Sequence, residues 1–219
     1  TMTAASTLAV NIIRRAPPLK HRGVTLIEAL ITGLILAIGI IGVVSLLAMA
    51  KASQHEAMQR TRAISMADHM LERIRRNPAG VATYRTGTSG FNLPLGNSTI
   101  SEEPDPSCSS ASCTPLQLAA HDRWVWEQLL DGSAVTVTSG GNTVSATSMS
   151  GLRGCVTFTA DTGKTNTGIV SVILQWQGMR ETSDAVGIGG SVCGGASANS
   201  DPTRRQVVID SYLVDEAEI

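Results

Sequence analysis

The sequence predicts an α+β protein, in which a long N-terminal helix precedes a domain built on an antiparallel β-sheet. Three observations support this class. Residues 29–50 contain no charged residue and no proline. Apolar residues then recur at helical spacing up to residue 76, and from residue 135 onward the pattern shifts to alternation with a period of two. Three regions follow: a basic leader (1–23), a helical region (24–76) and an α+β domain (77–219).

The apolar segment is long enough to cross a membrane, since a bilayer core needs about 20 residues of apolar helix. The residues before it, 1–23, contain four basic residues and no acidic one. Positive charge on this side predicts a cytoplasmic N-terminus and an exported domain 77–219. A cleaved secretory signal peptide fits badly, because its apolar core would be about 7–15 residues long. We therefore expect a single-pass membrane protein.

Glu28 is the only charged residue between Gly23 and Lys51. A carboxylate at the centre of a membrane helix costs about 2.5–3.5 kcal/mol, so such groups usually have a partner. If the chain is cut after Gly23, the new α-amino group of Val24 lies four residues before Glu28, on the same helical face. An amine and a carboxylate can compensate each other, either within one chain or between neighbouring chains. Between neighbouring chains, the pair would set the axial register of packed helices.

The run Gly23-Val24-Thr25-Leu26-Ile27-Glu28, after a basic leader and before an apolar helix, resembles the type III signal of type IV prepilins and type II secretion pseudopilins. The resemblance implies that a prepilin peptidase cuts after Gly23 and methylates Val24. It also implies that Glu28 guides docking into a growing filament. The fold it implies is pilin-like: a helical spine packed on a sheet-bearing headpiece.

A second stretch narrows this resemblance. The run ISMADHMLERIRRNPAG, at residues 64–80, is similar to the end of the long helix in minor pilins of the PilV type. The runs CVTFT and VSVILQWQG further along are also similar to that family. The implied partners are the prepilin peptidase, other minor pilins, the major pilin, the inner-membrane assembly platform and membrane lipid. The implied location is the inner membrane and then the pilus.

The helix beyond the membrane segment is predicted to pack on the domain through Ala67, Met70, Leu71 and Ile74, which recur at helical spacing. It should end at Asn77-Pro78, because proline disfavours helical geometry in the residue before it. The spacing of four residues also predicts ion pairs within the helix, Glu56 with Arg60 and Glu72 with Arg76. We interpret Met58, Met66 and Met70 as packing residues.

The exported domain begins with a Ser-, Thr-, Gly- and Pro-rich loop over residues 85–113. Thr114, Pro115 and Gln117 then form a capping-box sequence that opens a second helix, which Asp131-Gly132 ends. We expect its buried side to be apolar: Leu118, Ala119, Val125, Trp126, Leu129 and Leu130. Strands are predicted over 155–160, 169–177 and 206–214, with a Gly- and Ser-rich segment over 178–203.

The four cysteines all lie in the domain predicted to be exported. An even count in an oxidising compartment favours disulfides, and four cysteines allow three pairings. We favour Cys108 with Cys113 and Cys155 with Cys193. Crossed pairings and a four-cysteine zinc site remain alternatives, although neither half has the C-x2-C spacing typical of zinc ribbons.

The sequence carries no recognisable catalytic constellation. The four histidines form no H-E-x-x-H motif, because position 59 is Gln, and there is no G-x-S-x-G or phosphate-binding loop. Residues 77–219 hold seven basic and fourteen acidic residues, which disfavours nucleic-acid binding. Asp161-Thr162-Gly163 is interpreted as a hairpin turn, with calcium binding as an alternative. We expect neither enzymatic activity nor a cofactor or metal.

The function that the sequence predicts is that of a minor pilin subunit, processed after Gly23, that enters and primes a type IV pilus. Two alternatives stay open. A type II secretion pseudopilin has the same N-terminal features. An uncleaved, membrane-anchored periplasmic binding protein or enzyme would make Glu28 incidental.

Overall fold

The structure is a computed structural model that describes residues 25–85, 94–96, 98–132, 136–140, 142–145, 149–188, 190, 192–193 and 199–219. The chain divides into two compact units, with the boundary after Ala48. In the first unit the described residues are those of an apolar helix. The second unit, Met49–Ile219, holds the buried core and both disulfides. Helix α1, Leu26–Arg76, extends through both units.

The part of α1 that lies in the second unit buries the face predicted from the sequence. Ala63, Ala67, Met70 and Ile74 are fully buried, and Leu71 is nearly so. The helix ends at Arg76, directly before Asn77-Pro78, as predicted. Met58 differs from the prediction, because 57% of it is exposed. It lies on the opposite side of the helix from the buried stripe.

The two ion pairs predicted along α1 are replaced by other contacts. Glu72 pairs with Arg75, one residue before the predicted partner, at 2.6 Å between Oε1 and Nη1. Arg75 also donates to the Ser211 hydroxyl at 2.9 Å, which holds its side chain on the side of the sheet. Glu56 lies 3.7 Å from Arg205 of the sheet. Helical spacing alone allows Glu72 to pair with either Arg75 or Arg76, and the contact of Arg75 with the sheet favours Arg75. Arg76 therefore does not pair with Glu72.

A short 3-10 turn, Pro78–Gly80, and helix α2, Val81–Tyr84, follow α1. Helix α3, Pro115–Leu130, begins as predicted, since Thr114 and Gln117 form a capping box with both hydrogen bonds present. The predicted buried side of α3 is only partly right. Ala119, Trp126 and Leu130 are buried and the other predicted residues are half-buried. Three polar residues, His121, Asp122 and Glu127, are buried instead.

The described strands form a two-stranded and a three-stranded sheet. Strands β1, Thr136–Ser139, and β2, Asn142–Ser145, make an antiparallel hairpin. Strands β3, Ser150–Ala160, β4, Gly168–Gln177, and β5, Arg204–Leu213, lie in chain order and are antiparallel. The strands predicted from alternation are all present, each one to five residues longer at its start. Asp161-Thr162-Gly163 is the turn between β3 and β4, as predicted, with Gly163 at φ +78°.

The core lies between one face of the three-stranded sheet and the helices. The register places Val156, Val172 and Ile209 side by side on this face, with Gly154, Leu174 and Val207 in the next row. Trp126 of α3 is fully buried against them and donates its indole N–H to the Met66 carbonyl of α1 at 3.0 Å. The spine helix, α3 and the sheet thus share one core, which is the α+β arrangement that the sequence predicts.

Gly154 provides a sharp test of this packing. A Cβ at this position would lie 2.4 Å from the Trp126 ring and 2.9 Å from a Leu130 methyl. We expect Gly154→Ala to lower the free energy of unfolding by about 1–3 kcal/mol, because overpacking displaces a fixed ring. Gly187→Ala is the control, since nothing lies within 4 Å of its Cβ position. Equal stability of the two variants in chemical denaturation would contradict the packing described.

Candidate functional site

The first candidate site is the exposed surface of α1 from Leu26 to Met49. This helix is the one in the described residues that is long and apolar enough to cross a membrane, by length and composition. None of its most apolar stretch is buried within the described chain. Leu26 and Leu46, for example, are 80% and 68% exposed. Apolar surface on this scale is stable only against lipid or other apolar helices.

The few polar groups of this surface are satisfied within the helix. Thr32 donates its hydroxyl to the Glu28 carbonyl at 2.9 Å, and Ser45 donates to the Ile41 carbonyl at 3.0 Å. In a medium without water, hydroxyls must find such partners, since an unsatisfied polar group costs several kcal/mol there. Glu28 differs from these residues, because it brings a charge into a segment whose hydroxyl groups already bond to the helix backbone.

Glu28 lies in the first turn of α1. Its backbone N–H donates to the Thr25 carbonyl at 3.0 Å and to the Thr25 hydroxyl at 3.4 Å. Thr25 thus acts as the N-cap, and Thr25-Leu26-Ile27-Glu28 has the spacing of a capping box, which the sequence analysis missed. A carboxylate is also favourable near the positive end of a helix dipole. Gly23 and Val24, the predicted cleavage and methylation residues, lie outside the described residues.

The four cysteines form two disulfides, Cys108 with Cys113 and Cys155 with Cys193. These are the pairings that the sequence analysis favoured over crossed pairings and a zinc site. Cys155 and Cys193 are almost completely buried and pack with Ile173 on the sheet face opposite the core. The bond thereby holds Cys193, in the segment between β4 and β5, against this face.

The disulfide that closes the longer loop should contribute more to stability. The chain-entropy model gives about 4 kcal/mol for a loop the size of Cys155–Cys193 and about 2 kcal/mol for one the size of Cys108–Cys113. We expect the double serine variant at 155 and 193 to unfold at a clearly lower denaturant concentration than the double serine variant at 108 and 113. The reverse order would show that the small loop is the more important of the two.

The second candidate site is a buried polar cluster where α1, α2 and α3 meet. We call it the junction cluster, and it consists of Arg73, Asn77, Tyr84 and Asp122. The Asp122 carboxylate accepts from Arg73 and, at 2.5 Å, from the Tyr84 hydroxyl. Asn77 donates to the Pro115 carbonyl at 2.7 Å and thereby ties the end of α1 to the start of α3.

Burial and the Asp122 carboxylate both raise the pKa of Tyr84, so its hydroxyl stays protonated and serves as a donor. The cluster is a network of linked donors and acceptors, in which the Arg73 Nε–H has no partner among the described residues. It carries no arrangement of nucleophile, base and oxyanion donors.

The histidines also form no catalytic arrangement. The His121 ring lies 3.2 Å from the Glu103 carboxylate, and this contact holds the loop before Cys108 against α3. The same ring lies beside the Trp124 ring at a tilted angle. Burial and the nearby Arg73 guanidinium lower the pKa of His69. Among the described residues no group of three or more His, Cys, Asp or Glu could hold a metal ion. Trp126 and Trp176 belong to the core and Trp124 is half-buried.

A membrane-length apolar helix followed by an α+β domain is consistent with the pilin-like fold class. Residues 46–124 match the family model described as Tt1218-like, Type IV pilin Tt1218. The match covers the end of the apolar segment, the rest of α1 and most of α3, about a third of the chain, and it supports a type IV pilin subunit. Neither the curated proteins nor the solved structures gave a match to the chain.

Proposed function

We propose that this protein is a minor subunit of a type IV pilus, held in the inner membrane by α1 until it enters and primes the filament. Processing after Gly23 and methylation of Val24 would precede assembly. The cytoplasmic leader would be lost, and the headpiece, residues 77–219, would lie in the periplasm and later at the cell surface.

The observation that carries this proposal is the uncovered apolar surface of residues 26–49, with one carboxylate at its start. A plain membrane anchor needs the apolar surface, and in it Glu28 would do no more than favour the first turn of α1. A filament core built of packed helices uses both. The family match to residues 46–124 supports the same class for the region that follows.

Glu28 would act by making one helical register favourable. In the apolar core of a filament, a carboxylate without a partner costs about 2.5–3.5 kcal/mol, less near an interface. The Val24 amine of a neighbouring subunit removes most of that cost when the two helices are offset so that the groups meet. At any other offset the two groups do not meet between subunits. The pair thus selects the axial position of each incoming subunit.

The partners follow from this role: the prepilin peptidase, other minor pilins and the major pilin, the inner-membrane assembly platform and membrane lipid. The headpiece is acidic, and we propose neither a metal or cofactor for it nor direct contact with nucleic acid. A type II secretion pseudopilin remains the nearest alternative function, and an uncleaved periplasmic binding protein is the alternative from another class.

The test is the N-terminus of the mature protein, measured by mass spectrometry on membranes and on sheared filaments. A peptide that begins with methylated Val24 is the expected result. An intact leader in cells with a working prepilin peptidase would overturn the proposal and favour an uncleaved anchor. Recovery of the processed chain in sheared pili, as opposed to the secretion apparatus, separates the pilus from the secretion alternative.

A further inference from the structure

An open pocket lies beside the junction cluster, at the C-terminal end of α1. It is lined by His69, Arg73 and Arg76 from the last two turns of α1 and by Leu118 and Asp122 from α3. The lining therefore holds two guanidinium groups, one imidazole and one carboxylate. The charge balance of these groups decides what the pocket can bind.

The one carboxylate that lines the pocket, Asp122, already has partners within the protein. Asp122 accepts from an Arg73 Nη atom and from the Tyr84 hydroxyl, and its side chain is only 7% exposed. It therefore balances Arg73 and leaves little capacity for a second cation. The Nε atom of Arg73 is buried and has no hydrogen-bond partner in the described part of the chain.

Arg76 supplies the excess positive charge. Helical spacing would pair it with Glu72, but that carboxylate is bound to Arg75. No other carboxylate of the described residues lies within ion-pair distance of Arg76, whose side chain is exposed at the pocket. Burial and Arg73 lower the pKa of His69, so the imidazole adds a polar group and little charge at neutral pH. The pocket thus carries about one uncompensated positive charge.

We propose that this pocket binds a carboxylate group, held by the guanidinium groups of Arg76 and Arg73, which both line it. A carboxylate carries one negative charge and two acceptor oxygens, which matches one excess cation and separate donors. A phosphate ester would bring nearly two charges close to Asp122 and gain less. Leu118 offers an apolar wall for the carbon chain of the ligand. The inference goes beyond the proposed function and does not depend on it.

A carboxylate could come from an acidic side chain of a neighbouring protein or from a small free carboxylic acid. The test is NMR on the full chain in detergent, labelled with 15N-arginine, in which the Nε–H signals of Arg73 and Arg76 are followed. The probes are acetate, the capped dipeptide N-acetyl-Leu-Glu-amide, inorganic phosphate and sodium chloride at equal ionic strength. Arg76→Gln is the main variant, because an exposed side chain without an ion pair can change without unfolding the protein.

The expected result is a saturable shift of the Arg73 Nε–H signal with acetate and with the dipeptide. Arg76→Gln should weaken both by about fivefold to tenfold, whereas Arg62→Gln, an exposed arginine earlier on α1, should change them less than twofold. Tighter binding of the dipeptide than of acetate would assign the pocket to an acidic side chain of a partner. Equal binding would assign it to a free carboxylic acid.

Three results would overturn the proposal. The first is no saturable shift with either carboxylate, or an equal shift with chloride, which is a pure salt effect. The second is tighter binding of phosphate than of acetate. The third is unchanged affinity in Arg76→Gln while its far-ultraviolet circular dichroism equals that of the wild type.

Discussion

Replacing Glu28 with Leu is expected to reduce the amount of this chain in sheared filaments by about tenfold or more, while its amount in the membrane stays unchanged. Leucine keeps the helix apolar, so membrane insertion does not suffer. The neighbouring Val24 amine loses its partner, and a loss of only about 1.4 kcal/mol already lowers an equilibrium tenfold. The measurement is an immunoblot of filament and membrane fractions.

Two further variants show which property of Glu28 matters. Glu28→Gln keeps the shape and removes the charge, and we expect it to behave like Glu28→Leu. Thr32→Val, one turn further on, is the matched control, since the Thr32 hydroxyl bonds only to its own helix. Wild-type amounts of Glu28→Leu in filaments, with normal processing after Gly23, would show that the carboxylate has no role in assembly.

Much of the fold could be predicted because the relevant signals are local. The cap of α3 depends on Thr114, Pro115 and Gln117, which are neighbours in the chain, and all the predicted contacts are present. The end of α1 depends on Pro78 alone. Strands β4 and β5 are continuous apolar or alternating runs, so their period is visible without knowledge of their partners. Such features need no information about the rest of the molecule.

The features that were missed depend on residues distant in sequence. Glu72 pairs with Arg75 because Arg75 is held by Ser211, which lies 136 residues further along the chain. Asp122 and Glu127 were not among the residues predicted to be buried on α3, yet both are buried. A weak signal existed for Glu127, since its neighbours from Trp124 to Leu130 are largely apolar. Helical periodicity alone could not reveal which groups would donate hydrogen bonds to Glu127, because they lie about 30 residues earlier in the chain.

Glu127 carries the second of the large expected effects. Its carboxylate has no exposed surface and accepts from the backbone N–H groups of Gly96, at 2.8 Å, and Thr99, at 2.5 Å. The backbone N–H of Ile100 also contributes. These donors belong to the loop that adds Leu95 to the edge of β3 through two backbone hydrogen bonds. One side chain of α3 thus fastens this loop to the sheet.

Glu127→Ala is therefore expected to lower the free energy of unfolding by about 3–5 kcal/mol, because several buried donors lose their acceptor and a cavity remains. Glu127→Gln should cost less, since the amide keeps one acceptor oxygen. Glu102→Ala, at an exposed position of the following loop, is the matched control and should change stability by less than about 0.5 kcal/mol. The measurement is chemical denaturation of the full chain in detergent with both disulfides intact.

The pH dependence of the free energy of unfolding, compared between wild type and Glu127→Gln, tests the environment of the Glu127 carboxyl group. Burial raises the pKa of Glu127 above its ordinary value of 4.5, and the backbone N–H donors offset this only in part. The folded state therefore binds this proton more tightly than the unfolded state does, so ionisation of Glu127 costs stability as the pH rises above 4.5. Glu127→Gln does not titrate here. The stability advantage of wild type over Glu127→Gln should grow as the pH is lowered toward 4.5 and then stay constant. An advantage that shrinks on acidification would mean that the loop donors outweigh burial, and that the loop binds the ionised carboxylate more strongly than its buried position suggests.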